Sequence, residues 1–148
     1  MATKVFKTAV QAMGDIKEVI EMADVITNTS LTGEIRIMNR RLNSDKEDIV
    51  INTIVVSAEQ ITEGYFNVNT HVPNLKNQVA SNPTATDTTQ PNIQRMQEIG
   101  SILMEVVDDY RGFDFILQLD GGGEIVPDGK NWFYGFTVKY TYLRRDKN

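Results

Sequence analysis

The chain has 148 residues, 41% hydrophobic and 24% charged, with a formal net charge of -5; these proportions fit one globular domain and exclude a fibrous repeat or wholesale disorder. The acidic surplus argues against a free-standing nucleic-acid binder. With no cysteine and one histidine, disulfides, thiolate catalysis, zinc-thiolate sites and a His-rich metal centre are excluded.

No apolar run approaches the roughly 18 residues that cross a bilayer. The opening MATKVFKTAVQAMGD lacks a signal peptide's apolar segment and cleavage site, so the expectation is a protein kept in a cytosol. KVFKTAVQAMGDIKEVIEMA spaces Phe6, Ala9, Val10, Met13, Ile16, Val19, Ile20 and Ala23 by threes and fours, which predicts an amphipathic helix over about residues 4–22. TNTSLTG reads as turn, and GEIRIMNR alternates Ile35 and Ile37 with Glu34 and Arg36 as a first strand. RRLNSDKED reads as an exposed connection.

DIVINTIVVSAEQ is apolar on both faces through Ile49, Val50, Ile51, Ile54, Val55 and Val56, as expected of a central strand covered on each side. GYFNVNTHVPNL then alternates Phe66, Val68, Thr70 and Val72 with Tyr65, Asn67, Asn69 and His71. The two segments predict an antiparallel hairpin whose polar row faces solvent or another subunit. Residues 76–92, KNQVASNPTATDTTQPN, are nearly all turn and disorder formers. They predict a long polar loop, a functional arm or a mobile segment, within a single domain over residues 1–148.

Pro91 and Asn92 open a second helix with Ile93, Met96, Ile99, Leu103, Val106, Val107 and Tyr110 on one face and Gly112 placed to end it. FDFILQL predicts a strand with Phe113, Phe115, Leu117 and Leu119 on one side. DGGGE reads as a flexible turn, EIV as the start of a short return strand, and PDGKN as another turn. WFYGFTVKYTYLRR puts Trp132, Tyr134, Phe136, Val138, Tyr140 and Tyr142 on one face at period two. The predicted fold class is α+β: an antiparallel or mixed sheet of four to six strands packed with two main helices, one on each side or both on one face with the other meeting a neighbouring subunit.

Chemistry-bearing candidates are few. DGGGEIVPDG sets Asp120, Glu124 and Asp128 around three glycines, but no lysine follows at a strand-to-helix junction, as a phosphate loop requires. Gly122 occupies a position where a calcium loop needs oxygen, so the stretch reads as a solvated hairpin tip. His71 titrates in the right range for a general base, yet its same-face neighbours are Asn67 and Asn69, and a surface or interface histidine is the simpler reading. Glu105, Asp108 and Asp109 read as a solvated helix face or as partners for a neighbour's cations. Two basic clusters, Arg40 with Arg41 and Arg144, Arg145 with Lys147, suit ion pairs across a subunit contact or DNA phosphates presented to a channel.

The order of these pieces, above all DIVINTIVV followed by YFNVNTHVPNL, then the polar insertion, second helix and closing FYGFTVKYTYLRR, resembles the tail-completion or tail-terminator proteins of tailed bacteriophages and their prophage relatives. The resemblance spans about residues 5–145. It implies a virion structural protein without enzymatic activity, cofactor or metal. Such subunits close into a ring, typically sixfold, that caps the tail tube and joins it to the head-side connector. The implied partners are other copies of the chain, the tail-tube protein and connector proteins, with DNA passing through but not specifically bound and no membrane. The implied location is the virion tail, after assembly in the host cytoplasm. Asn67, Asn69, His71, Arg40, Arg41, Arg144 and Arg145 become the candidate subunit interface. A head-to-tail connector or stopper ring is the alternative within this class; a small hydrolase and a ligand-binding module are the alternatives outside it.

Overall fold

The computed structural model of the chain describes residues 7–53, 60–61 and 63–143. The first half runs β1 (Lys7–Thr8), α1 (Ala9–Met22), α2 (Val25–Thr29), β2 (Ile35–Ile37), β3 (Asp48–Asn52), β4 (Gln60–Ile61) and β5 (Glu63–His71). The second runs β6 (Asn77–Val79), β7 (Asn82–Asp87), α3 (Ile93–Val107), β8 (Tyr110–Arg111), β9 (Phe115–Leu119), β10 (Glu124–Asp128) and β11 (Asn131–Tyr142). The fold is α+β, and no described helix is long and apolar enough to cross a membrane.

Helix α1 starts one turn later than its apolar stripe predicts, because Thr8 caps it. The Thr8 hydroxyl accepts from the Gln11 amide while the Gln11 side chain accepts from the Thr8 amide, a reciprocal capping box. Ala12 joins the buried stripe, whereas Val10 is exposed, and Phe6 lies outside the described residues. Asn92 caps α3 by accepting from the Arg95 amide. That helix stops at Val107, with Asp109 in the left-handed region at φ 52°. Gly112 is therefore not its terminator, and Tyr110 belongs to a strand.

The main sheet is mixed, in the order β2-β3-β5-β11-β9-β8, with β10 also on β11. Among the described strands only β2 and β3 are parallel. The antiparallel pairing of β3 with β5 is as the sequence predicts, Ile51 opposite Val68 and Asn52 opposite Asn67; Ile54, Val55 and Val56 lie outside the described residues. Strands β9 and β10 lie end to end along the same side of β11, opposite Leu119↔Val138 and Glu124↔Gly135. The DGGG stretch is thus an irregularity between two collinear strands, held by the Asp120 amide on the Thr137 carbonyl at 2.8 Å, and not a hairpin tip. The tip is Gly129 and Lys130, where Gly129 takes φ 62° at the position that a two-residue turn reserves for glycine.

Both long helices cover one face. From α1, Asp15 accepts the Tyr140 hydroxyl at 2.6 Å; from α3, Gly100 lies against the Tyr134 ring. Tyr134 and Tyr140 point to the same side of β11, so the alternative with one helix on each side is set aside. Beneath the helices Met13, Ile16, Ile20, Ile49, Ile51, Val68, Met96, Ile99, Leu103, Leu117 and Val138 are buried, each stabilising the fold by about 1.5–3 kcal/mol. Phe115 stacks on Tyr140 with ring centroids 5.3 Å apart, and Phe66 meets Tyr140 edge-on at 6.1 Å. Phe113, predicted on the buried side of its strand, precedes β9 and is 80% exposed.

Candidate interaction site: the open sheet face and the arm

Among the described residues the other face of the sheet carries no helix. Strict alternation places Asp48, Val50 and Asn52 of β3, Asn67, Asn69 and His71 of β5, and Phe133, Gly135 and Thr137 of β11 on it. Parallel neighbours such as β2 and β3 require a crossover. Here the crossover is residues 38–47, and it bonds to the open side through Asp48.

Asp48 is fully buried and holds that connection in place. Its carboxylate accepts from Arg40 Nε at 2.8 Å, the Ser44 hydroxyl at 2.6 Å and the Glu34 amide at 3.1 Å. Burial pushes the carboxyl up, but hydrogen bonds from Ser44, Arg40 and the Glu34 backbone outweigh it and leave Asp48 below its ordinary value. Arg41 pairs with Glu34 at 2.9 Å. Next along the chain, Glu47 takes a forked bond from Arg95, Nε at 2.6 Å and Nη2 at 2.9 Å, while Arg95 also donates to the Thr29 carbonyl. The stretch read as an exposed connection is therefore stitched to β3, α2 and α3.

His71 and Asn69 are each only 7% exposed. The prediction that this polar row faces solvent is wrong at these two positions, where the chain itself leaves little of either residue exposed. His71 lies against Phe133 with ring centroids 5.1 Å apart. Its Nδ1 is buried without a hydrogen-bond partner among the described residues. Burial, then the Arg40 cation, hold the imidazole below its ordinary value against the opposing pull of Asp128 and Asp48.

Between β3, β5, β11 and β10 the open face sinks into a groove of about 350 Å³, the lower end of the range of ligand sites. Asn52, Asn67, Asn69 and Thr137 form its polar floor, with Phe133, Val126 and Glu124 along the side. The Thr137 hydroxyl donates to Asn67 Oδ1 at 3.2 Å. Among the described residues the side-chain amides of Asn52 and Asn69 and the Glu124 carboxylate have no hydrogen-bond or ion-pair partner. Gly135 makes the depression: a β-carbon there would lie 2.5 Å from Asn69 Oδ1.

The second surface feature is the arm. Residues 76–92, predicted as a loop without structure, contain the hairpin β6–β7, paired Asn77↔Asp87 and Gln78↔Thr86 and shifted in register before Val79. Its base is clamped to the body. Asn74 Nδ2 donates to the carbonyls of Thr88 and Lys130, both at 2.8 Å, and Trp132 Nε1 donates to the Thr89 carbonyl at 3.1 Å. The Leu75 amide reaches the Gln90 carbonyl at 2.9 Å. Beyond this clamp the hairpin pairs with no other strand among the described residues, so neither outer edge is covered by them.

The structure brings Asn67 and Asn69 together in the groove, and puts His71 next on the same face of β5, where the Arg40 cation acts on it. Arg41 stands apart, paired to Glu34, and Arg144 and Arg145 lie outside the described residues. Arg40 and Arg41 each pair with a carboxylate of their own chain. Asn52, Gly135 and Thr137 escaped sequence reasoning. Gly135 carried the available signal, a glycine interrupting an aromatic strand, which marks close approach of other groups. Among the described residues no three His, Asp or Glu side chains gather as a metal site.

Compared with models of protein families the chain matches none, and a search of the curated proteins returns no match.

Proposed function

We propose that the chain is a structural subunit of a ring that caps the tail tube of a tailed bacteriophage and joins it to the head-side connector. The observation that carries the reading is the arm: a two-stranded hairpin on a hydrogen-bonded base, with outer edges that no described strand covers and with polar side chains. An element of this kind contributes little to its own domain, whereas a heterologous contact that repeats until it closes needs a projection on one side and a receiving surface on another. The helix-free face of the sheet supplies such a surface. The motif order of DIVINTIVV, YFNVNTHVPNL and the closing aromatic strand supports the same reading.

The test is capping. Purified protein added to polymerised tail-tube protein of the same phage is expected to form a ring at one end of each tube, seen in negative stain. A variant with residues 77–87 replaced by a short Gly-Ser turn is expected to stay folded and leave the tubes bare. A ring found instead on isolated connector, with bare tubes, would move the proposal to a head-side stopper.

A further inference from the structure

We propose that the groove on the open sheet face receives the basic segment Arg144–Arg145 of a second copy of the chain. The inference rests on the ring reading for its biological setting and names the contact within it. Among the described residues that line the groove the one formally charged is Glu124, whose carboxylate has no partner among them. Beside it stand the side-chain amides of Asn52 and Asn69, which line the groove and have no hydrogen-bond partner among the described residues. Phe133 adds an aromatic wall. Carboxylate, amide oxygens and a ring together suit a planar guanidinium, which donates in a fixed fork and stacks on aromatic faces.

Reach identifies the source as a second copy. Glu124 sits opposite Gly135, and Leu143 follows eight residues further along the chain, fixed by its amide on the Asp114 carbonyl at 2.7 Å. At about 3.3 Å per residue the separation is about 26 Å. Two residues beyond Leu143 span at most about 7 Å, and an extended arginine side chain adds roughly as much again. The chain's own Arg144 and Arg145 therefore fall short of its own groove. Those of another copy face no such limit, and the segment LRRDKN carries three cations against one carboxylate. Lys139 is tied to Glu63 at 3.7 Å on the same face and does not compete for the site.

The experiment adds a synthetic peptide of residues 142–148, YLRRDKN, to the isotope-labelled full chain and follows amide and side-chain NMR signals. Binding is expected to shift Gly135, Glu124 and the Asn52 and Asn69 side-chain amides, and to weaken with added salt. Glu124→Arg is expected to weaken it about tenfold, and a peptide with both arginines replaced by glutamate to bind that variant better than the native chain. Glu124→Gln gives the same direction with a smaller change; Glu124 is exposed, so both variants fold. No shift at millimolar peptide overturns the proposal, as do shifts elsewhere or shifts indifferent to Glu124→Arg. Rings capping tail tubes without peptide binding would leave the ring reading standing and this contact refuted. Peptide binding with bare tubes would do the reverse.

Discussion

Asn69 lies over Gly135, its Oδ1 in space that any β-carbon at 135 would approach to 2.5 Å. The obstacle is the end of a flexible side chain, which can turn aside. Gly33 faces a harder obstacle, since its β-carbon would meet the Glu47 carbonyl oxygen at 2.0 Å and Asp48 Oδ1 at 2.1 Å. Gly33→Ala is therefore expected to lower unfolding free energy by about 1–3 kcal/mol, and Gly135→Ala by less than about 1 kcal/mol. Urea denaturation of both variants checks the order. Gly135→Ala should also displace the Asn69 side-chain NMR signals while leaving those of the helices in place.

Asp48 is the buried anchor of residues 38–47, with three donors on one carboxylate. Asp48→Ala leaves Arg40 and the Glu34 amide without their partner, and about 3–5 kcal/mol of stability should be lost. Because the folded-state carboxyl lies below its ordinary value of 3.8, its contribution is full above that pH. It is lost as the pH falls through the lower folded value. Asp48→Asn is expected to flatten that acid limb in a thermal melt series.

His71 is the chain's one histidine, so its titration is read without overlap. Burial holds its folded value below the ordinary 6.5. The unfolded chain thus takes the proton first: the contribution to stability is full above about pH 6.5 and declines as the pH drops toward the folded value. The imidazole carbon-bound proton signals are expected to titrate below 6.5. A midpoint at or above it would contradict the burial described here.

Asn74 joins the arm's return strand to the hairpin tip at Lys130 through one amide nitrogen. Asn74→Ala removes both bonds at a partly exposed position, with an expected cost of about 1 kcal/mol. The more specific readout is local. Hydrogen exchange at the Leu75 amide should quicken while the β5–β11 amides keep their protection.

Much of the architecture was legible because it follows from periodicity. The six alternate residues from Trp132 to Tyr142 fix one face of β11, and the stripe through Met13, Ile16, Val19 and Ile20 fixes α1. Long-range polar geometry was not legible. Asp48, Arg40 and Ser44 read as an exposed charged connection because no local pattern shows that a short parallel crossover folds them onto the sheet. His71 and Asn69 read as surface because alternation assigns a face but not what covers it. The β6–β7 pairing was hidden by composition, since Asn, Thr, Pro and Ser favour turns and only a clamped base makes a short hairpin there. Glu124 was visible, but as part of a turn; the groove appears only once β10 is seen to continue β9 along β11.

The most direct measurement is mass by light scattering over a concentration series, on the native chain alone and with polymerised tail-tube protein, beside the variant lacking residues 77–87. The native chain is expected to form a closed ring, alone or on the tube end, and the armless variant to remain monomeric in both settings. A native chain that stays monomeric at high concentration and leaves tubes uncapped would contradict the ring.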